Sequence, residues 1–286
     1  MTAALPPLRF SYPQRLLILL IISFAGFFFC GILLVAFMLI SPSAVVLTRI
    51  STVIQDLTIF IFPAIATAIY ITPLPARLLC IDSLPSIGIT LAAVGAMTAS
   101  IPLMNAIVAW NASLTLPSWA AGVEAWMRSS EAAAQNNIDL LLSGDGIVAS
   151  LCSILIVGAL AGLSEELMFR GALQRILGSG VLSPHATIWL TAVIFSAFHM
   201  QFFGFVPRLL LGAFFGYLLY WSGSLWLPVL LHIFNNSIYV VSARHTSDIV
   251  NTIGTDSPLL IITSLLLTSA LLILIVRHRQ SDKSQS

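Results

Sequence analysis

Charged residues are scarce in this chain. Only 8% of its 286 residues are Asp, Glu, Lys or Arg, whereas 58% are hydrophobic and the mean hydropathy is +1.02. A soluble domain carries about 25% charged residues, so this composition excludes an ordinary water-soluble protein. The net charge of +1 excludes the basic surface that binds nucleic acid. The composition therefore indicates a polytopic membrane protein whose surroundings are mostly lipid bilayer.

Cysteine and several familiar catalytic motifs are also rare or missing. The three cysteines, Cys30, Cys80 and Cys152, form an odd and scattered set, which excludes a disulfide framework and a cysteine metal site. The sequence contains no H-E-x-x-H zinc motif, no G-x-S-x-G serine elbow and no Walker A loop. Functions that depend on those motifs have no support in the sequence.

Long apolar runs are abundant. A helix needs about 20 residues to cross roughly 30 Å of hydrocarbon. Runs near this length predict eight membrane spans, at about residues 16–40, 57–71, 87–110, 147–163, 185–203, 206–221, 224–241 and 258–276. Because the loops between the later runs are short, neighbouring helices should be antiparallel. We predict an all-α membrane protein, an eight-helix transmembrane bundle with a buried polar site.

The chain divides into three parts on this basis. Residues 1–146 hold the N-terminal membrane helices and an outer polar stretch, 111–145, which is either an amphipathic surface helix or a loosely ordered loop. Residues 147–241 hold most polar groups at membrane depth, and 242–286 hold the last membrane helix and a polar tail. Eight spans place both termini on one side, which carries eight Lys and Arg residues against four on the other. The positive-inside rule therefore predicts cytoplasmic termini in the cell (inner) membrane.

The first of three polar clusters contains Glu165, Glu166 and Arg170. A charged group at the centre of a membrane helix costs about 2.5–3.5 kcal/mol on insertion scales, so such groups are usually paired or functional. Glu166 and Arg170 are four residues apart and can pair on one helix face. Glu165 points about 100° away from that face. An ion network at a helix end would explain Glu166 and Arg170, but not Glu165.

The other two clusters supply imidazoles and amides. Phe195 and His199 lie in an apolar span, where a backbone carbonyl could satisfy a lone histidine. His232 and Asn236 are four residues apart and share a helix face, with Asn235 about 60° off. A hydrogen-bond ladder between helices is the simpler explanation. Convergence of all three clusters on one polar pocket is the functional explanation.

A shared pocket would allow peptide hydrolysis. A carboxylate such as Glu165 can take a proton from water, and a histidine such as His199 can orient that water. The N–H groups of His232 and Asn236 suit the oxyanion that forms when water attacks an amide carbonyl. Glu165, His199 and His232 would also supply a two-histidine, one-carboxylate zinc site. Because asparagine is a poor zinc ligand, we expect no cofactor and keep zinc as the alternative.

The three clusters resemble the signature motifs of the CPBP (Abi) family, the type II CAAX prenyl endopeptidases and their bacterial relatives. The motifs are E-E-x-x-x-R at 165–170, F-x-x-x-H at 195–199 and H-x-x-x-N at 232–236, and the resemblance covers about residues 147–241. It implies an eight-helix intramembrane endopeptidase whose site opens toward the cytosolic side. Family members have been described both as metalloproteases and as metal-free, glutamate-dependent enzymes.

The resemblance also implies a role for each motif residue. Glu165 would be the general base, and His199 would help to hold the attacking water. His232 and Asn236 would form the oxyanion hole. The supporting residues would be Glu166, Arg170 and Phe195.

The substrate and even the enzymatic role stay open at this stage. The expected partner is a peptide or lipidated peptide that enters from the bilayer or the cytosolic side. The alternative is a non-catalytic protein: a transporter, or a bacteriocin self-immunity or scaffold protein. Buried carboxylates and histidines also mark proton pathways. A transporter should often show an inverted repeat, however, and the first half of the chain holds no second acidic motif.

Overall fold

The computed structural model of the protein describes residues 5–40, 43–244, 252–255 and 257–284. Every regular element in this part of the chain is helical, which confirms the predicted all-α class. Residues 245–251, 256 and 285–286 of the predicted C-terminal part lie outside the described residues.

The helices follow one another with mostly short connections. In chain order they are α1 (Tyr12–Met38), α2 (Ala44–Ile71), α3 (Pro75–Leu78), α4 (Ile87–Ala99), α5 (Ile101–Ala112), α6 (Ala121–Leu142), α7 (Gly146–Leu177), α8 (Pro184–Phe198), α9 (Phe205–Ser222), α10 (Trp226–Arg244) and α11 (Pro258–Ser284). Segments of π-helix lie within α2 and α7, at Asp56–Ile61, Ile154–Leu160 and Leu167–Gln174.

The chain is a multi-pass membrane protein. Within the described residues, six helices are long and apolar enough to span a membrane: α1, α2, α7, α9, α10 and the part of α11 up to Arg277. Helices α4 and α5 pass the same test together, as one span bent by 46°. Helix α8 is apolar but only 15 residues long. Each predicted run falls on one of these units, so the structure is compatible with the predicted count of eight.

The predicted start of the second span was wrong. Helix α2 begins at Ala44, well before residue 57, and the Ser43 side chain caps its N-terminus. The extra turns contain polar residues that contact other parts of the protein. Arg49, for example, donates hydrogen bonds to the carbonyls of Leu141 at 3.3 Å and Ser143 at 2.7 Å. A span predicted from the length of an apolar run ends at such polar residues, because the run length takes no account of their tertiary contacts.

The predicted end of the fourth span was also wrong. Helix α7 continues past residue 163 to Leu177, so the acidic motif lies inside a membrane helix and not at its end. It continues because its polar side chains find partners inside the protein: Glu166 and Arg170 pair at 2.7 Å, as their spacing predicted, and neither is exposed. The orientation count included Arg170 on the side of the termini and Arg208 on the other side, but Arg170 lies inside α7 and Arg208 lies inside α9.

The third span is broken near its middle. Helices α4 and α5 meet at Ser100, and Pro102 lies in the first turn of α5. Proline lacks an N–H and its ring clashes with the preceding turn, so α4 cannot continue straight through it. The sequence signal for the break was Pro102 inside an otherwise apolar run.

The long polar stretch at 111–145 contains an ordered helix, α6, so the expectation of a loosely ordered loop was wrong. The Trp126 ring packs on Phe202, with 5.1 Å between ring centroids. The hydrogen bonds from Arg49 reach Leu141 in the last turn of α6 and Ser143 just after it. These contacts place α6 beside the connection that leads into α9.

The connections define two ends of the bundle. At the N-terminal end, the Thr72 hydroxyl donates to the carbonyl of Pro7 at 2.8 Å. This end also holds the connections from α7 to α8 and from α9 to α10. At the opposite end, called the far end below, the Asn111 amide donates to the carbonyl of Phe202 at 3.3 Å. The far end holds the connections from α5 to α7 and from α8 to α9.

Glycines on α7 allow α10 to approach closely. A Cβ at Gly162 would lie 3.1 Å from the backbone nitrogen of Ile233, and one at Gly158 would lie 2.7 Å from Ser237 Oγ. Small residues four apart are a common basis for helix contact in membranes. The result is that the acidic motif of α7 and the histidine–asparagine motif of α10 face each other.

Candidate active site

The residues of the three polar clusters converge on one cavity. Helix α7 carries Glu165, α8 ends just before His199, and α10 carries His232 and Asn236. Together with Phe195, these side chains line a partly open cavity of about 560 Å³. Residues that are far apart in the sequence thus share one wall because α7, α8 and α10 pack around it.

Glu165 lies between two imidazole rings. Its Oε1 is 3.9 Å from His199 Nε2, and its Oε2 is 3.7 Å from His232 Nε2. Both distances exceed a direct hydrogen bond of about 2.7–3.2 Å. The carboxylate oxygens therefore keep lone pairs available for a molecule in the cavity.

Hydrogen bonds behind each ring determine what the cavity-facing nitrogen can do. His199 Nδ1 is 2.9 Å from the Phe195 carbonyl, which can only accept, so Nδ1 donates. His232 Nδ1 is 2.8 Å from Glu166 Oε1, and this carboxylate also accepts because it pairs with Arg170. In both rings, Nε2 accepts a hydrogen bond when the ring is neutral and donates one when the ring is charged.

A buried ion pair supports His232 from behind. Glu166 Oε1 accepts from Arg170 Nη1 at 2.7 Å and from His232 Nδ1 at 2.8 Å. The Arg170 guanidinium lies 4.4 Å from the centroid of the Phe195 ring, and Phe215 stacks on His232 with 4.9 Å between ring centroids. These contacts fix the orientation of His232, with Nε2 toward the cavity.

Two glycines of α9 make room for polar side chains of α7. Arg170 Nη2 donates to the Gly212 carbonyl at 2.9 Å, and Gln174 Nε2 donates to the Gly216 carbonyl at 3.2 Å. A Cβ at Gly212 would lie 3.0 Å from the Phe195 ring and 3.2 Å from Arg170 Nη2, and one at Gly216 would lie 2.8 Å from Gln174 Oε1. Helix α9 therefore supports the site through its backbone.

Asn236 keeps one N–H for the cavity. Its Nδ2 donates to the Val157 carbonyl at 3.1 Å, and its Oδ1 accepts from Asn235 Nδ2 at 3.3 Å. A side-chain amide has two N–H groups, so the second can serve a group in the cavity. Asn235, which lies off the predicted face, lines the same cavity.

Some polar residues near the site were not predicted. Arg208 lines the cavity, although the orientation count took it as a cation of the outer side. Asp56 is only 4% exposed and accepts a hydrogen bond from the Ser164 hydroxyl at 2.9 Å, one residue before Glu165. A carboxyl group at the border of an apolar run was the available signal for Asp56. The available signal for Arg208 was a charge inside the predicted span 206–221, and no local signal singled out Ser164.

The cavity lies toward the far end of the bundle. Its lining includes Gln135 of α6, Gly204 before α9, and residues on both sides of the bend at Ser100, and none of it comes from the N-terminal-end connections. If the N-terminal end is cytoplasmic, as the sequence predicts, a site that opens at the far end would face away from the cytosol.

Glu165, His199 and His232 are the residues that would hold zinc in the alternative mechanism. The Nδ1 atoms of the two histidines donate to the Phe195 carbonyl and to Glu166, so each Nε2 faces the cavity and would be the zinc ligand. As the described residues are arranged, they form no group of three or more His, Cys, Asp and Glu side chains that could hold a metal ion. We assign no step of the chemistry to a metal.

Comparison with known proteins agrees with the motifs. Residues 147–238 match the family model described as type II CAAX prenyl endopeptidase Rce1-like. Searches of curated proteins and of solved structures find no significant match. The matched segment runs from the start of α7 into α10 and includes Glu165, His199, His232 and Asn236. This segment is about a third of the chain, and its similarity supports a CPBP or CAAX-protease-like family for the protein.

Proposed function

We propose that this protein is an intramembrane endopeptidase that hydrolyses a peptide bond with a water molecule activated by Glu165. The family match supports a CAAX-protease-like function in general. The observation that carries the proposal is the position of Glu165 between the Nε2 atoms of His199 and His232, on the wall of a cavity of about 560 Å³. A carboxylate in that position can share a bound water with an imidazole.

The proposed oxyanion hole uses the doubly protonated form of His232, because Nδ1 faces Glu166 and only that form also has an N–H at Nε2. Glu165 and Glu166 are two carboxylates, and Arg170 is the cation that pairs with one of them. His232 faces a carboxylate from each ring nitrogen, at 2.8 and 3.7 Å. With His232 charged, the four groups are neutral in sum, and its Nε2 becomes a donor.

In the proposed reaction, Glu165 takes a proton from water as the water oxygen attacks the carbonyl carbon. His199 Nε2 accepts the other hydrogen bond from that water and orients it. The carbonyl oxygen gains negative charge and accepts hydrogen bonds from His232 Nε2 and the second N–H of Asn236. When the C–N bond breaks, Glu165 returns its proton to the leaving amine.

The substrate in this proposal is a peptide or lipidated peptide. We place the protein in the cell (inner) membrane with cytoplasmic termini, since Lys and Arg are more numerous at the N-terminal end than at the far end. The substrate would then reach the cavity from the bilayer or from the side opposite the cytosol. The reverse orientation would admit it from the cytosolic side.

The test is peptide cleavage in detergent and in liposomes. Glu165→Gln should lower kcat by at least about 100-fold, because general base catalysis typically contributes 10²–10⁴-fold. His199→Ala should lower kcat as well, since the water loses its orientation. Asp82→Asn is the control, because Asp82 is an exposed acid in the loop before α4; its activity should match the wild type.

Three outcomes would contradict parts of the proposal. Full activity of the Glu165→Gln variant would rule out the mechanism. Flux into proteoliposomes that needs Glu165, without cleavage, would favour a transporter. We expect activity to survive dialysis against a chelator; a loss that zinc restores would favour the zinc alternative through Glu165, His199 and His232.

A further inference from the structure

A second cavity lies at the N-terminal end of the bundle, away from the candidate active site. Its volume is about 240 Å³, and several connections at that end contribute to its lining: Leu5 before α1, Cys80 before α4, Gly178 and Leu182 between α7 and α8, and Gly223 before α10. The ends of membrane helices lie at the level of the lipid headgroups. This cavity is therefore at a membrane surface, and the proposed peptide chemistry does not use it.

The charge in this cavity is positive and unbalanced. Among the described residues that line it, Arg175 is the one charged side chain. Its Nε donates to the Leu78 carbonyl at 3.1 Å, whereas its Nη2 is buried without a hydrogen-bond partner, and no carboxylate of the described residues lies at salt-bridge distance. Burial raises the pKa of the Cys80 thiol, so this lining group is neutral and supplies no counter-charge.

Two uncharged residues of the lining also hold polar atoms without partners among the described residues. Gln174 Nε2 donates to the Gly216 carbonyl at 3.2 Å, so Oε1 is the atom that stays unpartnered. The Thr187 hydroxyl has no partner either, although only 2% of this residue is exposed. Buried polar groups in folded proteins nearly always have a partner, which can be a bound water or ion. The lining thus offers a cationic donor, an acceptor, and a hydroxyl that can be either.

We propose that this cavity binds a glycerol-type phosphate ester, a chemistry shared by an anionic lipid headgroup and by glycerol phosphate in solution. The guanidinium of Arg175 suits phosphate oxygens. Gln174 Oε1 needs a donor, which a bare phosphate or carboxylate lacks and a glycerol hydroxyl supplies. The cavity is smaller than the pockets of about 300–1,000 Å³ that hold drug-sized ligands, so it suits a headgroup better than a peptide segment.

The position of the cavity favours the lipid over the free phosphate ester. Basic pockets between membrane helices on the cytoplasmic side bind anionic headgroups. The N-terminal end is the side that the Lys and Arg distribution predicts to be cytoplasmic.

The test is lipid binding to the full chain in detergent, measured by native mass spectrometry with phosphatidylglycerol and phosphatidylcholine as probes. The wild type should bind one phosphatidylglycerol about tenfold or more tightly than phosphatidylcholine, whose own cation would lie near Arg175. Arg175→Gln should lose this preference, because a charged hydrogen bond is removed. Arg77→Gln is the matched control, since Arg77 is an exposed arginine at the same end that does not line the cavity. An equal loss in both variants would indicate general attraction to a basic surface and overturn the proposal.

Thr187→Val separates binding from a structural role. Because the hydroxyl has no partner among the described residues, its removal should leave the melting temperature of the lipid-free protein unchanged. The same variant should bind phosphatidylglycerol about threefold or more weakly, since a hydrogen bond to the ligand is lost. A lower melting temperature without lipid, together with unchanged lipid binding, would contradict the proposal.

Glycerol phosphate in solution distinguishes the two sources of the ligand. If it raises the melting temperature of the wild type but not of Arg175→Gln, and phosphatidylglycerol shows no preference, the site stands and its ligand is soluble. If neither compound binds in a manner that depends on Arg175, the cavity holds only water and the proposal is overturned. None of these measurements uses peptide cleavage, so their outcome leaves the proposed function untouched.

Discussion

The ion pair between Glu166 and Arg170 offers a quantitative test of how the site is held together. Both side chains are 0% exposed, and Arg170 Nη1 lies 2.7 Å from Glu166 Oε1. Removal of one partner from a buried pair costs about 3–5 kcal/mol, because the other charge is left uncompensated. We expect Arg170→Met and Glu166→Gln each to lower the free energy of unfolding by about that amount.

The double variant should be much more stable than the sum of the single effects. It contains no uncompensated charge, and the amide oxygen at position 166 still accepts the hydrogen bond from His232. What it loses is the bond from Arg170 to the Gly212 carbonyl, a charged hydrogen bond of about 1.5–3 kcal/mol. Because the single effects sum to about 6–10 kcal/mol, the coupling energy should be about 3 kcal/mol or more.

The measurement is denaturant unfolding in bicelles, followed by the fluorescence of the six tryptophans. The pair Glu124 and Arg128 is the matched control: it has the same spacing and a distance of 2.6 Å, but the Arg128 side chain is 50% exposed. Its double-mutant cycle should show no coupling beyond error, since exposed pairs contribute little. Additive effects at Glu166 and Arg170, or equal coupling in both cycles, would refute the reasoning.

Two further predictions concern packing and pH. Gly212→Ala should lower the free energy of unfolding by about 1–3 kcal/mol through overpacking, because its Cβ would lie 3.0 Å from the Phe195 ring. The control is Gly31→Ala, which should not destabilise the protein because a Cβ at position 31 would have nothing within 4 Å. Equal free energies of unfolding for the two variants would contradict this prediction. The Leu116 N–H, which donates to Glu124 at 2.8 Å, holds the pKa of that carboxyl below its ordinary value of 4.5. A lowered folded-state pKa means that the contact stabilises the fold above pH 4.5 and is lost as the pH falls through the lowered pKa. Hydrogen exchange near Leu116, corrected for the intrinsic rate, should therefore rise in acid in the wild type but not in Glu124→Gln.

The sequence-based predictions that proved correct were those that rest on local residue spacing. The interval of four residues paired Glu166 with Arg170, and the length of the apolar runs located the membrane helices. Both features follow from the geometry of a single helix, so residue spacing and run length predict them without knowledge of the tertiary fold. The convergence on one cavity followed because polar groups in a membrane helix must face protein or water.

Features that depend on non-local partners could not be predicted. Helix α2 continues through Arg49 because two carbonyls near the end of α6 accept its hydrogen bonds. Asp56 is tolerated inside α2 because Ser164, more than a hundred residues away, donates to it. Arg208 lies at the cavity because Gln201, just before α9, accepts two hydrogen bonds from its guanidinium. In each case the partner is identified only by the fold.

Glu165 differs from its neighbours in how far the protein satisfies it. Glu166 accepts direct hydrogen bonds from Arg170 and His232, and the nearest nitrogens to Glu165 are two Nε2 atoms beyond direct hydrogen-bond distance. Among the described residues, Glu165 has no direct hydrogen bond, yet only 15% of its side chain is exposed. A carboxylate oxygen that already accepts from protein donors has fewer lone pairs left for a water molecule. The arrangement therefore holds Glu166 as a structural anchor, and in the proposed mechanism it leaves Glu165 available to take a proton from water. This difference in role would account for two like charges that follow each other in one membrane helix.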